Sequence, residues 1–261
     1  MLKIPTDELR SWLIGSTTSL TSAVIFYTIL PLPASWTNNW LRIARWCPII
    51  GVLIGWSLAV IAMFLELCRV PNLTGSALIV IGWVAITGGL HLDGAMDTAD
   101  GLSVSDPQRR LEVMKDSATG AFGAITAIII LLLKTVALSE MSLPLWLALS
   151  STAGWARWGQ VLAIAFYPYL RATGKGSFHQ ENFRLPQDLL VGLAVLLCLS
   201  AFWFTTGLLW WQVGLITMVN GAIPLATGYW FANRLGGHTG DTYGAVVEWS
   251  EALILVFLTV F

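Results

Sequence analysis

Residues 120–138 read GAFGAITAIIILLLKTVAL, a run that carries one charge, Lys134, and no polar alternation. A helix needs about 20 apolar residues to cross the hydrocarbon core of a bilayer. A barrel strand would alternate apolar and polar positions instead, so this run predicts a transmembrane helix. Further segments follow on either side, near 11–31, 46–67, 73–92, 143–166, 188–206, 208–231 and 245–261. Ser16, Thr17, Thr18, Ser19, Thr21 and Ser22 dilute the first, Asn220 and Pro224 interrupt the seventh, and the last opens on Glu248 and Glu251. The expected fold is all-α: a polytopic integral membrane helical bundle of seven to eight transmembrane helices. A single domain over 1–261 is expected, because no internal repeat, low-complexity stretch or separate soluble unit stands out.

Composition agrees. Hydrophobic residues make up 56% of the chain and charged residues only 11%, where a soluble domain carries about 25% charged residues. The 14 Trp suit membrane interfaces. The net charge of −1 and the absence of a basic stripe give no reason to expect a nucleic-acid partner. Cys47, Cys68 and Cys198 lie far apart without a CxxC pair, so neither zinc nor a disulfide framework is expected. Asp7 and Glu8 precede the first apolar segment where a signal peptide would be basic, and that segment is expected to stay attached.

Loop charge orients the bundle. With eight spans, one side holds Arg42, Arg45, Arg109, Arg110, Lys115, Arg171, Lys175, Arg184 and Arg234, and the other only Lys3, Arg10 and Arg69. The positive-inside rule makes the first side cytoplasmic. The long loops 32–45, 93–119, 167–187 and 232–244 share that side, so function is expected there. If 11–31 lies along the interface, only the N-terminus changes sides.

The chemistry-bearing stretch is Gly88-Gly89-Leu90-His91-Leu92-Asp93-Gly94-Ala95-Met96-Asp97-Thr98-Ala99-Asp100-Gly101, at the close of the third segment. Asp93, Asp97 and Asp100 stand at i, i+4 and i+7, one face of a helix over about 10 Å. Like charges at this spacing repel. Oxygen ligands without Cys suit a hard divalent cation such as Mg²⁺ or Mn²⁺. Asp116, in Met114-Lys115-Asp116-Ser117-Ala118-Thr119-Gly120-Ala121-Phe122-Gly123-Ala124, can join the cluster or pair with Lys115. Gly236-Gly237-His238-Thr239-Gly240-Asp241-Thr242-Tyr243-Gly244-Ala245 leads into the last helix with Asp241 and Glu248 seven apart. Backbone N–H groups at Gly237 and Gly240 suit phosphate. Glu248, inside an apolar segment, needs a partner or a proton. Arg157, within Gly154-Trp155-Ala156-Arg157-Trp158, is expected inside the bundle, where it pairs with an acid or binds phosphate. Arg109, Arg110, Lys115, Arg171, Lys175 and Arg184 can meet phosphate from the loops. His91 is a candidate base, ligand or satisfied polar residue, and His179 and His238 are equally open. No Gly-x-Ser-x-Gly nucleophile is present. Acids, glycine turns and arginines together fit phosphoryl transfer, which needs positioning and charge neutralisation more than a covalent nucleophile.

At these residues the chain resembles the cobalamin synthase family of membrane adenosylcobinamide-GDP ribazoletransferases. The motifs that carry the likeness are Gly88 through Gly101, Met114 through Ala124, and Gly236 through Ala245 with Glu248 and Glu251. Phe26-Tyr27-Thr28-Ile29-Leu30-Pro31-Leu32-Pro33 and Tyr167-Pro168-Tyr169-Leu170-Arg171-Ala172-Thr173-Gly174-Lys175-Gly176 match more weakly, and Ile29 stands where the family often carries arginine. The resemblance implies transfer of α-ribazole, or its 5′-phosphate, to adenosylcobinamide-GDP with loss of GMP. It implies Mg²⁺ held by Asp93, Asp97, Asp100 and Asp116. Asp241 and Glu248 would position metal or the ribazole hydroxyl, and Arg157 and Arg171 would contact phosphate. It further implies a multi-pass protein of the cell inner membrane with lipid around it, and leaves room for a homo-oligomer or association with other cobalamin-synthesis enzymes. Rival readings are a CDP-alcohol phosphotransferase, a membrane prenyltransferase and a divalent-cation transporter. The first lacks its Asp-Gly-x-x-Ala-Arg, since Asp93-Gly94 runs on to Ala95-Met96-Asp97-Thr98. The transporter is opposed by acids gathered at one face of the membrane instead of its middle.

Overall fold

The computed structural model describes residues 6–36, 39–116, 118–171, 179–180 and 182–261. Among them the chain forms α1 (Thr6–Tyr27), α2 (Cys47–Leu67), α3 (Asn72–Ile86), α4 (Leu90–Ser103) and α5 (Pro107–Val113). There follow α6 (Ala121–Ser139), α7 (Leu145–Phe166), α8 (Gln187–Ala201), α9 (Trp210–Leu235) and α10 (Gly240–Leu258). Strand-like pairing among the described residues is one isolated parallel bridge between Tyr169 and His238. Prolines set several starts: Pro48 opens α2, and α3 and α7 follow Pro71 and Pro144. At a helix start the missing N–H has no intrahelical role.

Helices stand at all eight positions expected from the sequence. Ile43–Leu67, Ala121–Ser139 and Gln187–Thr206 are each long and apolar enough to cross a membrane. The third segment differs from its expected course. It breaks at Thr87–Gly89, and α4 leaves α3 at 89°. Gly88 and Gly89 take left-handed φ of 61° and 71°, which only glycine adopts readily. Their N–H groups donate to Ala85 O at 3.0 Å and Val84 O at 2.9 Å, ending α3. The acidic stretch therefore does not prolong the span. It forms a separate helix laid across one end of the bundle.

α7 is the central helix, buried from Leu147 to Ile164. Its neighbours are α2, α8, α9 and α10. A β-carbon at Gly51 would stand 2.3 Å from Ala153 O, and one at Gly55 2.4 Å from Leu149 O. This small-xxx-small pair lets the α2 and α7 backbones touch, as membrane helix packing favours. Polar side chains lie within: Asn220 Nδ2 donates to Ser151 Oγ at 3.0 Å. The outer surface carries Met63, Phe64, Ile128 and Leu132, all more than half exposed. Charge inside and large apolar side chains outside is the distribution a lipid solvent requires.

The ends of the bundle are unlike. At one, Asn72 Nδ2 donates to Ser139 O at 2.6 Å, joining the start of α3 to the end of α6. At the other, Ile29 N donates to Ile86 O at 2.9 Å, and Arg42 Nε donates to Asp188 of α8 at 3.1 Å. The long connections and α4 and α5 gather at this second end.

Candidate active site

Two glycines dock α4 against α10. A β-carbon at Gly94 would lie 2.6 Å from Asp241 O, and one at Gly244 2.8 Å from His91 O. Each helix thus presses bare backbone onto the other, and Asp93 and Asp97 of α4 come to face Asp241 of α10. Asp241 sits in the first turn of α10 behind a capping box. Thr242 N–H donates to Thr239 Oγ1 at 3.3 Å, and Thr239 N–H donates to Thr242 Oγ1 at 2.7 Å. An acid in that turn is favoured by the helix dipole.

The 167–171 segment delivers a cation to the acids. His238 N–H donates to Pro168 O at 2.9 Å and Leu170 N–H to His238 O at 2.8 Å. Gly237 permits the approach, since a β-carbon there would stand 2.4 Å from Pro168 O. Arg171 Nη2 then donates to Asp241 Oδ2 at 2.6 Å and to Met114 O at 3.3 Å. His238 is buried, contacts Thr242 Oγ1 at 3.0 Å and is pushed down to about 4 by burial, so it is a neutral strut of this joint. Gly240 opens α10 with nothing within 4 Å of a β-carbon placed on it, leaving that helix start approachable.

The acids shape one another. Asp97 is pushed up to about 6, by burial first and then by the charges of Asp93, Asp241 and Asp100, with Arg171 opposing. Asp241 is also raised by burial, against the pull of Arg171. Asp100 has a distinct place: Oδ2 accepts the Gly120 N–H at 2.7 Å and Oδ1 the Gly123 N–H at 2.8 Å. It therefore serves as the cap of α6 and pins α4 to it. Asp116 and Lys115 are exposed after α5, and Asp116 Oδ1 accepts the Ala118 N–H at 3.1 Å. Their loop reaches the site through Met114, which packs on Gly101. The Arg110 guanidinium is occupied by Val104 O and Arg234 O, while the backbone N–H of Arg184 donates to Asp188 Oδ2. Arg109 is exposed. Lys175 lies outside the described residues.

Arg157 and Glu248 do not join the cluster. They belong to a buried four-charge network deeper in the bundle. Lys134 Nζ meets Glu248 Oε2 at 2.7 Å and also pairs with Glu251, while Arg157 Nη1 meets Glu251 Oε1 at 2.6 Å. Lys134 further lies 4.7 Å from the Trp83 ring centroid. Of the open alternatives for Glu248 and Arg157, the geometry supplies the ion-pair partners. Lys134, alone in its apolar run, was the sequence signal for that network.

Beside the acids opens a cavity of about 480 Å³, whose lining includes Tyr27, His91, Asp93, Gln160, Asp241 and Tyr243. Gln160 carried no signal of this in the sequence, and Tyr27 only its place in the weakly matching 26–33 segment. Tyr243 lay within a singled-out motif, but its place depends on the α4–α10 docking.

The donor set suits Mg²⁺. Among the described residues no three His, Cys, Asp or Glu side chains close around one point. Mg²⁺ typically takes one or two carboxylates and completes its shell with water and substrate phosphate. Asp93 and Asp97, one turn apart on α4, offer such a pair of carboxylates.

A family model described as cobalamin-5-phosphate synthase matches residues 19–259. The chain is 54% identical over 245 residues to the adenosylcobinamide-GDP ribazoletransferase of Trichormus variabilis, covering 93% of this chain and 96% of the relative. A Synechocystis protein of the same name is 48% identical, covering 92% and 94%. One from Brevibacillus brevis is 35% identical, covering 90% and 95%. No solved structure matches.

Proposed function

Since the chain belongs to the cobalamin-5-phosphate synthase family, we propose that it joins α-ribazole, or its 5′-phosphate, to adenosylcobinamide-GDP with release of GMP. It is an integral membrane transferase of cobalamin biosynthesis. The observation that carries the mechanism is the convergence of Asp93, Asp97, Asp241 and Arg171 at one end of the bundle.

A ribose hydroxyl of ribazole attacks the phosphorus attached to cobinamide. The bond from that phosphorus to the GMP oxygen breaks, GMP leaves with the electron pair, and the hydroxyl proton passes to a carboxylate or to water. This chemistry asks for alignment and charge neutralisation. Asp93 and Asp97 would hold Mg²⁺, which supplies neutralisation of the diphosphate when bound. Arg171, held at the site by Asp241, faces the phosphate region. Asp241 orients Arg171 and stands beside the attacking hydroxyl. Asp100 fixes α4 on α6, and Asp116 with Lys115 flanks the open side. Glu248 and Arg157 act from below, by keeping α6, α7 and α10 in register.

The site faces the cytoplasm of a bacterial inner membrane in this proposal. Arg42, Arg109, Arg171 and Arg184 all lie in the connections at the site's end of the bundle, as the positive-inside rule asks.

A transferase assay on purified, detergent-solubilised protein tests the reading. With adenosylcobinamide-GDP, α-ribazole 5′-phosphate and Mg²⁺, we expect GMP and corrinoid product. Product should vanish with a chelator and fall at least about 100-fold in Asp97→Asn, since loss of transition-state charge stabilisation is worth about 3 kcal/mol or more. Full activity in Asp97→Asn would sink the site assignment; no product from wild-type protein, beside an active relative, would sink the function.

A further inference from the structure

We propose that the groove between α6 and α9 is a phospholipid site: one acyl chain lies in the groove beneath α4, and the lipid's phosphate meets Arg234 and Arg110. The site rests on the membrane bundle alone and is independent of the transferase chemistry. The groove holds about 540 Å³, within the range of small-ligand sites. Thr126 of α6 and Ala226 and Trp230 of α9 line its sides, Leu253 of α10 its back, and Ala95 and Ala99 of α4 its top. α6 and α9 both pack on α10, and the gap between them opens outward, where Ala226, Trp230 and Leu253 are exposed.

The lining selects hydrocarbon. Every lining side chain is uncharged, and Thr227 Oγ1 already meets Ser250 Oγ at 2.9 Å. A corrin's amide arms or a nucleotide would lose water here without gaining partners. From Ile223 to Phe231 the groove follows α9 for about 12 Å, at 1.5 Å per residue. That length fits within one leaflet, about half of the ~30 Å hydrocarbon core. Short side chains at Ala95, Ala99 and Ala226 leave the width for an acyl chain.

Charge at the mouth selects the headgroup. Arg234 follows Phe231 within one turn, and its guanidinium lies 5.5 Å from the ring centroid of Trp230, which lines the groove. Arg110 Nη1 donates to Arg234 O at 3.0 Å. A second guanidinium thus stands at the same helix end and covers a carbonyl that would repel an anion. Among the described residues no carboxylate pairs with either arginine. Two uncompensated guanidinium groups above an apolar groove are complementary to a lipid phosphate. The acyl chain so seated touches Ala95 and Ala99, on the face of α4 opposite Asp97, and braces the acidic helix from behind.

The test is native mass spectrometry of the delipidated full chain in detergent, titrated with dioleoyl phosphatidylglycerol or dioleoyl phosphatidylcholine. Wild-type protein should take up one phosphatidylglycerol saturably and hold it at least about fivefold more tightly than phosphatidylcholine, the worth of one arginine near a lipid surface. Arg234→Gln should cut that preference about fivefold. Ala226→Phe, which fills the groove, should weaken phosphatidylglycerol binding at least about tenfold by removing apolar contact. Leu225→Phe, exposed on the same helix outside the groove, should leave binding unchanged. Uptake that rises with lipid concentration without saturating overturns the site, as does binding indifferent to Ala226→Phe. Equal affinity for the two lipids, or a preference that survives Arg234→Gln, overturns the headgroup contact. A wild-type dimer that Ala226→Phe splits into monomers gives the groove to a second copy of the chain and overturns the proposal. Should Ala226→Phe fail to fold, the wild-type comparison of the two lipids and Arg234→Gln still decide.

Discussion

At the scale of single residues, Asp97 carries the sharpest consequence. Its carboxyl is raised to about 6, so it is protonated below that pH and charged above it. A cation must displace the proton, and its apparent affinity should weaken as pH falls through about 6. The Mg²⁺ concentration for half-maximal rate, measured between pH 5.5 and 8, should therefore climb on the acid side, and Asp97→Asn should abolish that climb along with most of the rate. For stability, a carboxyl raised on folding favours the folded state while it is protonated, so without metal the fold should lose stability as pH rises from the ordinary value of 3.8 to about 6 and change no further above it. Asp100 behaves differently, because its oxygens already hold two backbone N–H groups of the α6 start. Asp100→Ala should lower stability by about 1–3 kcal/mol, read as an earlier thermal unfolding in detergent. Asp100→Asn keeps one acceptor and should lose less.

At the scale of elements, the site depends on how closely α4 and α10 approach. Gly94 and Gly244 are the contact points. Gly94→Val or Gly244→Val pushes backbone from backbone and should cut transferase activity at least about 100-fold while the protein still inserts and purifies as wild type, since an ångström of misplacement costs about that much. The α6–α7–α10 network is a second joint. Lys134→Met leaves Glu248 and Glu251 to Arg157 alone, and removal of one member of a buried ion network costs about 3–5 kcal/mol. The double variant Lys134→Met with Glu248→Gln should recover part of that loss in thermal unfolding, because it restores charge balance.

At the scale of the whole molecule, the charged connections belong to one end. A single cysteine at Arg109, in a background where Cys68 and Cys198 are serine, should react with a membrane-impermeant maleimide only after cells are opened. A cysteine at Arg69 should react from outside. The reverse pattern would invert the orientation and move the site out of the cytoplasm.

Residues 120–138 were sufficient to announce a membrane helix, because crossing a bilayer is a matter of length and apolarity, both written along the chain. The three motifs named the acids for a similar reason: charge near lipid is costly and stands out wherever it occurs. The Gly88-Gly89 bend was legible only as two glycines, since left-handed φ is a property of the folded backbone. Which charges meet was decided by packing. Arg157 and Arg171 are the same residue type in neighbouring motifs, yet one lies in the core with Glu251 and the other at the acids with Asp241. That difference arises from contacts between α7 and α10 and between the 167–171 segment and the 236–239 loop, separated by some 70 positions or more in sequence. Sequence by itself determined solvent, element type and reactive groups, because these depend on local composition. The tertiary structure alone decided which carboxylates share a field, which are neutralised by partners, and where a cavity remains, because those depend on distance through space.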